Sequence, residues 1–204
     1  MIKKGVYVII LKLDQESDIQ IGKLGKFHFR KGFYAYTGSA LGSGGFKRVE
    51  RHFNVSIGKN PTRKWHIDYI LPKSKIVHAI LLPTEEAIEC KLARRIRKIS
   101  GISIIPGFGC TDCRCETHLI YAKDELKSMI TDVCNSIGVK DIMISSSYQE
   151  KNNESKIPFS YKMYAPPCPE CRSTNSLVYN IFADDWICKN CGYTIYGCSF
   201  GDEK

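Results

Sequence analysis

The chain lacks the long apolar run that a membrane protein needs. Its longest apolar stretch, residues 6–11, is much shorter than the roughly 18 residues of a membrane helix. The N-terminus also has neither the apolar segment nor the cleavage site of a secretory signal peptide. We therefore expect a cytoplasmic protein that makes no membrane contact.

Acidic residues are scarce in the first part of the chain. Residues 1–123 hold 22 Lys+Arg against 10 Asp+Glu, which is +12, and residues 124–204 hold 8 against 11, which is −3, so that the sum is the net charge of +9. A basic surface attracts phosphate backbones because binding releases counterions. The composition thus favours a nucleic-acid partner for the first part, with a merely solubilising surface as the alternative.

The order of periodic segments predicts an α+β fold, in which a small antiparallel or mixed sheet is flanked by helices. A central strand is predicted at 6–13, a return strand that forms a hairpin with it at 19–24, and an aromatic-rich strand ending at 37. Helices are predicted at 46–53, 84–100 and 126–137, with Thr84 as the N-cap of the second. Residues 63–71 stay ambiguous between strand and helix. Glu89 lies beside the apolar face of the 84–100 helix, where an unpartnered carboxylate is costly.

Several short motifs follow one another along the first 123 residues. They are Gly5-Val6-Tyr7, Tyr36-Thr37-Gly38, Arg48 with His52, Trp65-His66-Ile67-Asp68, Glu89-Cys90, and Asp112-Cys113-Arg114-Cys115 with His118. In this order they resemble the GIY-YIG nuclease superfamily, and more closely a GIY-YIG-like domain of unknown function. The resemblance implies an endonuclease that hydrolyses phosphodiester bonds, with DNA favoured over RNA, using Mg²⁺ or Mn²⁺ in repair or recombination.

The resemblance also implies roles for the motif residues. Tyr7 would activate water with Tyr36 in its hydrogen-bond network, and Arg48 would grip the scissile phosphate. Glu89 would ligate Mg²⁺ or Mn²⁺, which needs few protein ligands. His52 follows Arg48 by one helical turn and would contact the phosphate or orient the tyrosines. Taken singly, each residue also has an ordinary explanation, such as core packing or a solvated charge.

His66 is a further catalytic candidate. If residues 65–69 form a strand, His66 and Asp68 share one face of it. His66 would then act as a general acid or bind phosphate, with Asp68 holding its tautomer or approaching the metal. A buried histidine satisfied by a carboxylate is the alternative.

Two departures from the GIY-YIG pattern bear on the substrate. Twenty-eight residues separate Tyr7 from Tyr36, which is more than in typical members and predicts an inserted hairpin at about 14–30. That hairpin would either shape a substrate groove or obstruct DNA. The late asparagine of these nucleases has no counterpart in this chain.

Cysteine pairs at the C-terminal end predict a zinc ribbon. Cys168 and Cys171 form one Cys-x-x-Cys pair, and sixteen residues later Cys188 and Cys191 form another. Four such thiolates suit a structural Zn²⁺, and the metal supplies much of the folding energy of so small a unit. The pattern resembles the ribbons of basal transcription factors, which implies binding to protein or nucleic acid.

A second, tighter cysteine cluster is harder to interpret. Cys113, Cys115 and His118 offer three ligands, with Cys110 nearby, but zinc prefers four. We interpret this segment as a packed loop with inert thiols and leave a metal site open.

Together these patterns predict a nuclease domain at 1–123, a helix and linker at 124–160 and a zinc ribbon at 161–204. The predicted function is a divalent-metal-dependent endonuclease with a zinc-ribbon adaptor. The alternative is a non-catalytic adaptor that binds nucleic acid or serves transcription.

Overall fold

The chain divides into two compact units, Met1–Ile142 and Met143–Lys204. The computed structural model describes residues 4–139, 142–146, 160–161, 168–173, 177–180, 185–188 and 190–196. The predicted domain boundaries at 123 and 160 stay predictions, and residues 147–159 of the predicted helix and linker region lie outside the described residues. None of the described helices has the length and hydropathy needed to span a bilayer.

The first unit is built on an antiparallel sheet, as the α+β prediction requires. Its strands are β1 (Gly5–Leu13), β2 (Ser17–Ile21), β3 (Gly25–Phe29), β4 (Gly32–Ser39), β5 (Lys75–Pro83), β6 (Ser103–Ile104) and β7 (Leu119–Ala122). Within the described part of this unit the main sheet has the order β5-β1-β4-β7-β6. Residues 6–11 of β1 are buried, because this central strand has a neighbour on each edge and is covered on its faces.

Four α-helices accompany the sheet in the described residues of this unit, and three of them pack against the side chains of its strands. They are α1 (Lys47–Ser56), α2 (Ile67–Ile70), α3 (Glu89–Ile96) and α4 (Lys127–Asn135). α1 and α4 contact β5, whereas α3 contacts β4. Each of the three longer helices buries apolar side chains, such as Val49 and Leu92, so the core lies between the helices and the sheet.

The predicted return strand at 19–24 has the wrong partner. β2 pairs with β3, from Ser17 opposite Phe29 to Ile21 opposite Gly25, and not with β1. The reason is that β4 and β5 already occupy both edges of β1. The inserted hairpin predicted at about 14–30 is confirmed as this separate two-stranded element.

The helix predicted at 84–100 is also too long. α3 begins at Glu89, and Thr84 is not its N-cap. The Thr84 hydroxyl instead accepts a hydrogen bond from the N–H of Glu86 at 3.1 Å, which is a local turn that competes with helix formation. At its other end α3 stops at Ile96, before Gly101 with its left-handed φ of 79°.

The second unit is a set of short antiparallel strands. They are β8 (Met143–Ser146), β9 (Ser160–Tyr161), β10 (Leu177–Asn180), β11 (Asp185–Cys188) and β12 (Thr194–Tyr196). β10 pairs with β11, and β11 pairs with β12. β10 lies between the two cysteine pairs of the chain, and β11 ends at Cys188 of the second pair.

Candidate active site and metal centres

Tyr7 and Tyr36 lie on the same face of the sheet. Tyr7 of β1 is opposite Gly38 of β4, while Tyr36 is opposite Ile9, so the two tyrosines are diagonal neighbours. Their ring centroids are 6.4 Å apart. A Cβ atom at Gly38 would lie 2.4 Å from the Tyr7 hydroxyl oxygen. The glycine of the second motif is therefore required because the Tyr7 ring occupies the space above it.

A hydrogen-bonded chain connects Tyr7 to a buried carboxylate. The Tyr7 hydroxyl lies 2.9 Å from Nε2 of His52, and Nδ1 of His52 lies 2.9 Å from Oδ1 of Asp68. Since an ionised carboxylate only accepts hydrogen bonds, Nδ1 carries the imidazole proton and Nε2 accepts from the tyrosine. Tyr7, His52 and Asp68 thus form a relay, the term used below for these three residues.

Asp68 is held in place by donors on its second oxygen. Oδ2 accepts hydrogen bonds from the Arg51 guanidinium at 2.8 Å and from the backbone N–H groups of Lys64 and Trp65 at 2.8 and 3.0 Å. Burial alone pushes the pKa of Asp68 upward, but the hydrogen bonds from His52 and from these N–H groups outweigh burial and lower the pKa to about 2. The carboxylate is therefore ionised at neutral pH and can stabilise a charged imidazolium.

Burial also sets the protonation of the other two relay members. It lowers the pKa of His52, against the opposing effect of Asp68, so the ring is neutral at pH 7. Burial raises the pKa of Tyr7 well above its ordinary value, Tyr36 raises it further, and Arg48 opposes them. Both groups are neutral at rest, and a phenolate forms only when His52 takes the proton.

Three cationic groups surround the indole of Trp65, next to the relay. The guanidinium carbons of Arg48 and Arg51 each lie 4.6 Å from the ring centroid, and the Lys64 ammonium lies 4.9 Å from it. The Trp65 ring itself packs edge-on against His52, with centroids 5.5 Å apart. We refer to Arg48, Arg51, Lys64 and Trp65 as the cationic cluster.

Arg48 is the member of the cationic cluster best placed to bind an anion. Its Nη1 donates to the backbone oxygen of Ser39 at 2.6 Å, which leaves its charge uncompensated, and within the described residues it forms no ion pair. Arg51 is instead paired with Asp68 and also donates to the oxygen of Thr62.

Glu89 approaches the tyrosines but has a histidine partner. Its charge raises the pKa of both Tyr7 and Tyr36, so it lies in the same neighbourhood. Its Oε1 lies 3.0 Å from Nδ1 of His118. The same nitrogen is 3.3 Å from the backbone oxygen of Thr37, the residue that follows Tyr36.

A cysteine and histidine cluster lies on the other side of His118. The thiols of Cys90, Cys113 and Cys115 and a ring nitrogen of His118 all lie within 4.8 Å of one another, as a metal site requires. Nε2 of His118 is 3.4 Å from the Cys113 sulfur and 4.0 Å from the Cys90 sulfur. The fourth residue of the cluster is thus Cys90 of α3 and not Cys110, so four potential ligand atoms lie together where the sequence motif offered three.

His66 lies away from Asp68, contrary to the proposed pair. The segment is helical, with His66 at the N-terminal end of α2, so that residues two apart do not share a face. Nδ1 of His66 accepts a hydrogen bond from the N–H of Gly109 at 3.1 Å, and its ring packs edge-on against Phe108. His66 therefore anchors the 107–109 loop, and Asp68 serves His52.

Comparison with protein families decides the affiliation of the first unit. The family model described as "Domain of unknown function DUF123" matches residues 6–139. The chain belongs to the DUF123 family. The comparisons with curated proteins and with solved structures found no match. The match includes the relay, the cationic cluster and Cys90 with its three partners, so that all of these are parts of the DUF123 domain.

The four ribbon cysteines, which lie outside the DUF123 match, also converge. The sulfurs of Cys168, Cys171, Cys188 and Cys191 all lie within 4.8 Å of one another. The Cys168–Cys191 and Cys171–Cys188 distances are 3.8 and 3.6 Å, close to the roughly 3.8 Å between ligands of a tetrahedral ion with 2.3 Å Zn–S bonds. This cluster can hold a metal ion such as zinc, as the sequence pattern predicted.

The DUF123 domain thus brings Tyr7, Tyr36 and His52 into contact and places Arg48 and Glu89 where their charges act on both tyrosines. Sequence reasoning missed two features, the pairing of Asp68 with His52 and the participation of Cys90. Cys90 was detectable as the residue next to Glu89, but its partners are 23 to 28 residues further along the chain.

Proposed function

We propose that the DUF123 domain of this chain is a GIY-YIG-type endonuclease that hydrolyses DNA phosphodiester bonds with the help of a divalent metal ion. The observation that carries the proposal is the relay of Tyr7, His52 and Asp68 beside the cationic cluster. A base with a proton acceptor behind it and cations for a phosphate are two requirements of phosphodiester hydrolysis.

Arg48 is the group that binds the scissile phosphate. Its planar guanidinium matches two phosphoryl oxygens, and its contact with a neutral carbonyl leaves the charge to act on an anion. Lys64 is exposed and extends the positive surface along the backbone of a nucleic acid. Stacking on Trp65 restricts the Arg48 side chain, so less conformational entropy is lost when the phosphate binds.

The relay supplies the base for the attacking water. As the water oxygen forms a bond to phosphorus, its proton passes to the Tyr7 oxygen, and the Tyr7 proton passes to Nε2 of His52. The imidazolium that results is stabilised by the Asp68 carboxylate. The bond from phosphorus to the leaving oxygen breaks, and that oxygen takes a proton from solvent. His52 then returns its proton to solvent, which restores the resting state.

Glu89 can serve as the one carboxylate ligand of a Mg²⁺ or Mn²⁺ ion. A carboxylate has about four lone-pair sites, so the contact of Oε1 with His118 leaves Oε2 able to ligate a cation. The side chain is 26% exposed, and Mg²⁺ keeps most of its water ligands. When bound, the ion would neutralise charge that develops on the phosphoryl oxygens. Asp112 is an exposed second carboxylate whose charge also acts on Tyr36.

The C-terminal ribbon acts as the adaptor in this proposal. Its cysteine cluster can hold zinc and thereby order a small sheet. Residues 161–204 hold 4 Lys+Arg against 5 Asp+Glu, a net charge of −1, so the ribbon is suited to a protein partner more than to the DNA backbone.

A second candidate function is nucleic-acid binding without cleavage, possible in a domain that keeps the fold but not the chemistry. One observation favours it, because Tyr7 is 1% exposed and its pKa is raised. A general base must contact the attacking water and must be able to lose its own proton. Burial of Tyr7 opposes the first requirement, and its raised pKa opposes the second. The cationic cluster serves binding equally well in either case.

Incubation of the full chain with flapped, branched, single-stranded and double-stranded DNA in Mg²⁺ or Mn²⁺ separates the two functions. The endonuclease gives products that depend on the metal ion and disappear in Tyr7→Phe and Arg48→Ala. Binding without product in every substrate, with wild-type affinity in Tyr7→Phe, supports the second candidate. RNA versions of the same substrates determine which nucleic acid is cut.

A further inference from the structure

We propose that the DUF123 domain binds a structural Zn²⁺ ion through the thiolates of Cys90, Cys113 and Cys115 and through Nε2 of His118. Three sulfurs and one imidazole nitrogen are a common ligand set of structural zinc. This second site is separate from the ribbon, and it does not depend on the proposed nuclease activity.

The distances between the ligand atoms suit one tetrahedral ion. With Zn–S bonds of about 2.3 Å and Zn–N bonds of about 2.0 Å, a tetrahedral site separates sulfur from nitrogen by about 3.5 Å. Nε2 of His118 lies 3.4 Å from the Cys113 sulfur and 4.0 Å from the Cys90 sulfur. All four atoms lie within 4.8 Å of one another, so small side-chain rotations complete the site.

His118 already has the tautomer and orientation of a metal ligand. Its Nδ1–H points to Glu89 Oε1 and to the backbone oxygen of Thr37, which leaves Nε2 facing the sulfurs. A carboxylate behind the ligating histidine is the usual arrangement at zinc sites, since it fixes the ring and raises its basicity. The backbone adds a further restraint, because the N–H of Thr37 donates to the oxygen of His118 at 2.9 Å.

The backbone around the ligands is shaped for close packing. Gly109 has a φ of 76°, and a Cβ there would lie 2.9 Å from Cβ of His118 and 3.2 Å from the Tyr36 ring. The backbone N–H of His118 donates to the backbone oxygen of Phe108 at 2.8 Å, and the N–H of Gly107 donates to the backbone oxygen of Glu116 at 2.8 Å. The loop that carries Cys113 and Cys115 is therefore closed on itself before any ion binds.

Basic side chains offset the charge of the proposed site. Three thiolates and one Zn²⁺ leave one net negative charge. Arg94, Arg97 and Arg114 line a small cleft together with Cys115, and Arg114 lies between the two loop cysteines in the chain. Arg97 is already paired with the Glu116 carboxylate, so Arg94 and Arg114 are the cations that offset the charge of this half-buried centre.

The consequence for the proposed nuclease is that zinc positions Glu89. The carboxylate that would ligate Mg²⁺ is the same one that holds His118, so the zinc ligand and the catalytic carboxylate share one hydrogen bond. Zinc binding can be measured without any nuclease assay, so failure of the nuclease proposal leaves this inference standing and failure of the zinc proposal leaves the relay intact.

Counting zinc in the full chain tests the proposal. We expect two zinc ions per chain in the wild type, one in Cys113→Ser and one in Cys188→Ser of the ribbon. Cys110→Ser is the matched control, because this cysteine lies in the same loop but its thiol donates to the Phe108 oxygen at 3.4 Å. It should keep both ions. A wild type with one zinc that only Cys188→Ser removes would overturn the proposal, as would equal losses in Cys110→Ser and Cys113→Ser.

Thiol alkylation of the native wild type gives a measurement that does not depend on the folding of a variant. Peptide mapping should show Cys90, Cys113 and Cys115 protected, and a chelator should expose all three together. If the three react at rates that the chelator leaves unchanged, no zinc is bound there.

The role of Glu89 is tested by chelator competition for the zinc that Cys188→Ser retains. Glu89→Ala in that background should weaken zinc binding by about 10- to 100-fold, the usual effect of removing a carboxylate behind a histidine ligand. Glu86→Ala, an exposed acidic neighbour, should leave affinity unchanged. Equal affinities in both variants would show that Glu89 does not support the zinc site.

Discussion

The carboxylate of Asp68 and the imidazole of His52 form a buried pair, with Oδ1 and Nδ1 2.9 Å apart and neither side chain more than 1% exposed. The first unit contains a second aspartate–histidine pair, Asp18 with His28 at 2.8 Å, whose side chains are more than half exposed. The same chemical contact thus occurs in two environments, which provides an internal comparison.

Asp68→Asn should abolish cleavage and destabilise the first unit. The amide no longer enforces the Nδ1–H tautomer, so we expect cleavage to fall by about 10³-fold or more. Arg51 also loses its ionic partner, and we expect a stability loss of about 3 kcal/mol. Asp18→Asn is the matched control and should cost much less stability than Asp68→Asn because its pair is solvated. Urea unfolding and a cleavage assay measure the two effects, and equal costs for the two variants would contradict the relay.

Tyr7→Phe should affect chemistry much more than folding. It removes the hydroxyl that donates to His52, and a lost buried hydrogen bond costs about 1–2 kcal/mol. Cleavage should fall by at least about 100-fold, since the base is lost. Tyr34→Phe removes a comparable hydrogen bond, from a buried tyrosine of β4 to the oxygen of Arg30 at 2.8 Å, and should retain cleavage. A Tyr7→Phe protein with unchanged product formation would exclude Tyr7 as the base.

Arg48→Ala should weaken binding to DNA and reduce its dependence on salt. Loss of one phosphate contact lowers the slope of log K against log salt by about one. Lys26→Ala is the control, because it removes the same charge from the β2–β3 hairpin, where Lys26 pairs with Asp18 at 3.1 Å. Fluorescence anisotropy at several salt concentrations gives both slopes, and identical slopes would show that Arg48 binds no phosphate.

Gly38→Ala should be far more harmful than Gly42→Ala. The new Cβ would lie 2.4 Å from the Tyr7 hydroxyl, whereas nothing lies within 4 Å of a Cβ at Gly42. Overpacking of this kind costs about 1–3 kcal/mol, and displacement of Tyr7 should also reduce cleavage. Thermal unfolding compares the two proteins directly. Similar melting temperatures would mean that the Tyr7 ring does not occupy this position in solution.

His52 should titrate below its ordinary pKa of about 6.5 and hold its proton on Nδ1. Burial lowers the pKa, so between about pH 6.5 and the lower pKa of His52 the unfolded chain binds a proton that the folded chain does not. The contribution of neutral His52 to stability is therefore present above pH 6.5 and is lost as the pH falls. Nitrogen-15 NMR of the imidazoles measures both properties, with His52→Gln identifying the resonance. A midpoint above 6.5 would contradict the burial argument.

Local patterns predicted most of the strands because strand propensity and alternation act over a few residues. β1 and β4 were expected near their observed positions, and so was the inserted hairpin. What failed was the choice of partners. The pairing of β2 with β3 depends on which edges of β1 are already occupied, and that is a property of the assembled sheet.

The site was partly predictable for the same reason. The motifs singled out Tyr7, Tyr36 and His52, which lie together in the structure, while their catalytic roles stay predictions. The suggested pairing of Asp68 with His66 is wrong. That pairing was conditional on residues 65–69 forming a strand, in which a spacing of two places side chains on one face, whereas residues 67–70 are helical. The proximity of Cys90 to Cys113, Cys115 and His118 was missed because it joins a helix to a distant loop, and no local sequence pattern reports such a contact.

Trp65 has a consequence for measurement, because its indole lies among three cations and against His52. The chain contains two tryptophans, so in the Trp186→Phe variant all tryptophan fluorescence would come from Trp65. That fluorescence should change when an anion bound by Arg48 offsets the positive charge beside the ring, and change again when acid charges His52. The protein thus carries its own optical reporter of ligand occupancy and protonation, without an attached dye.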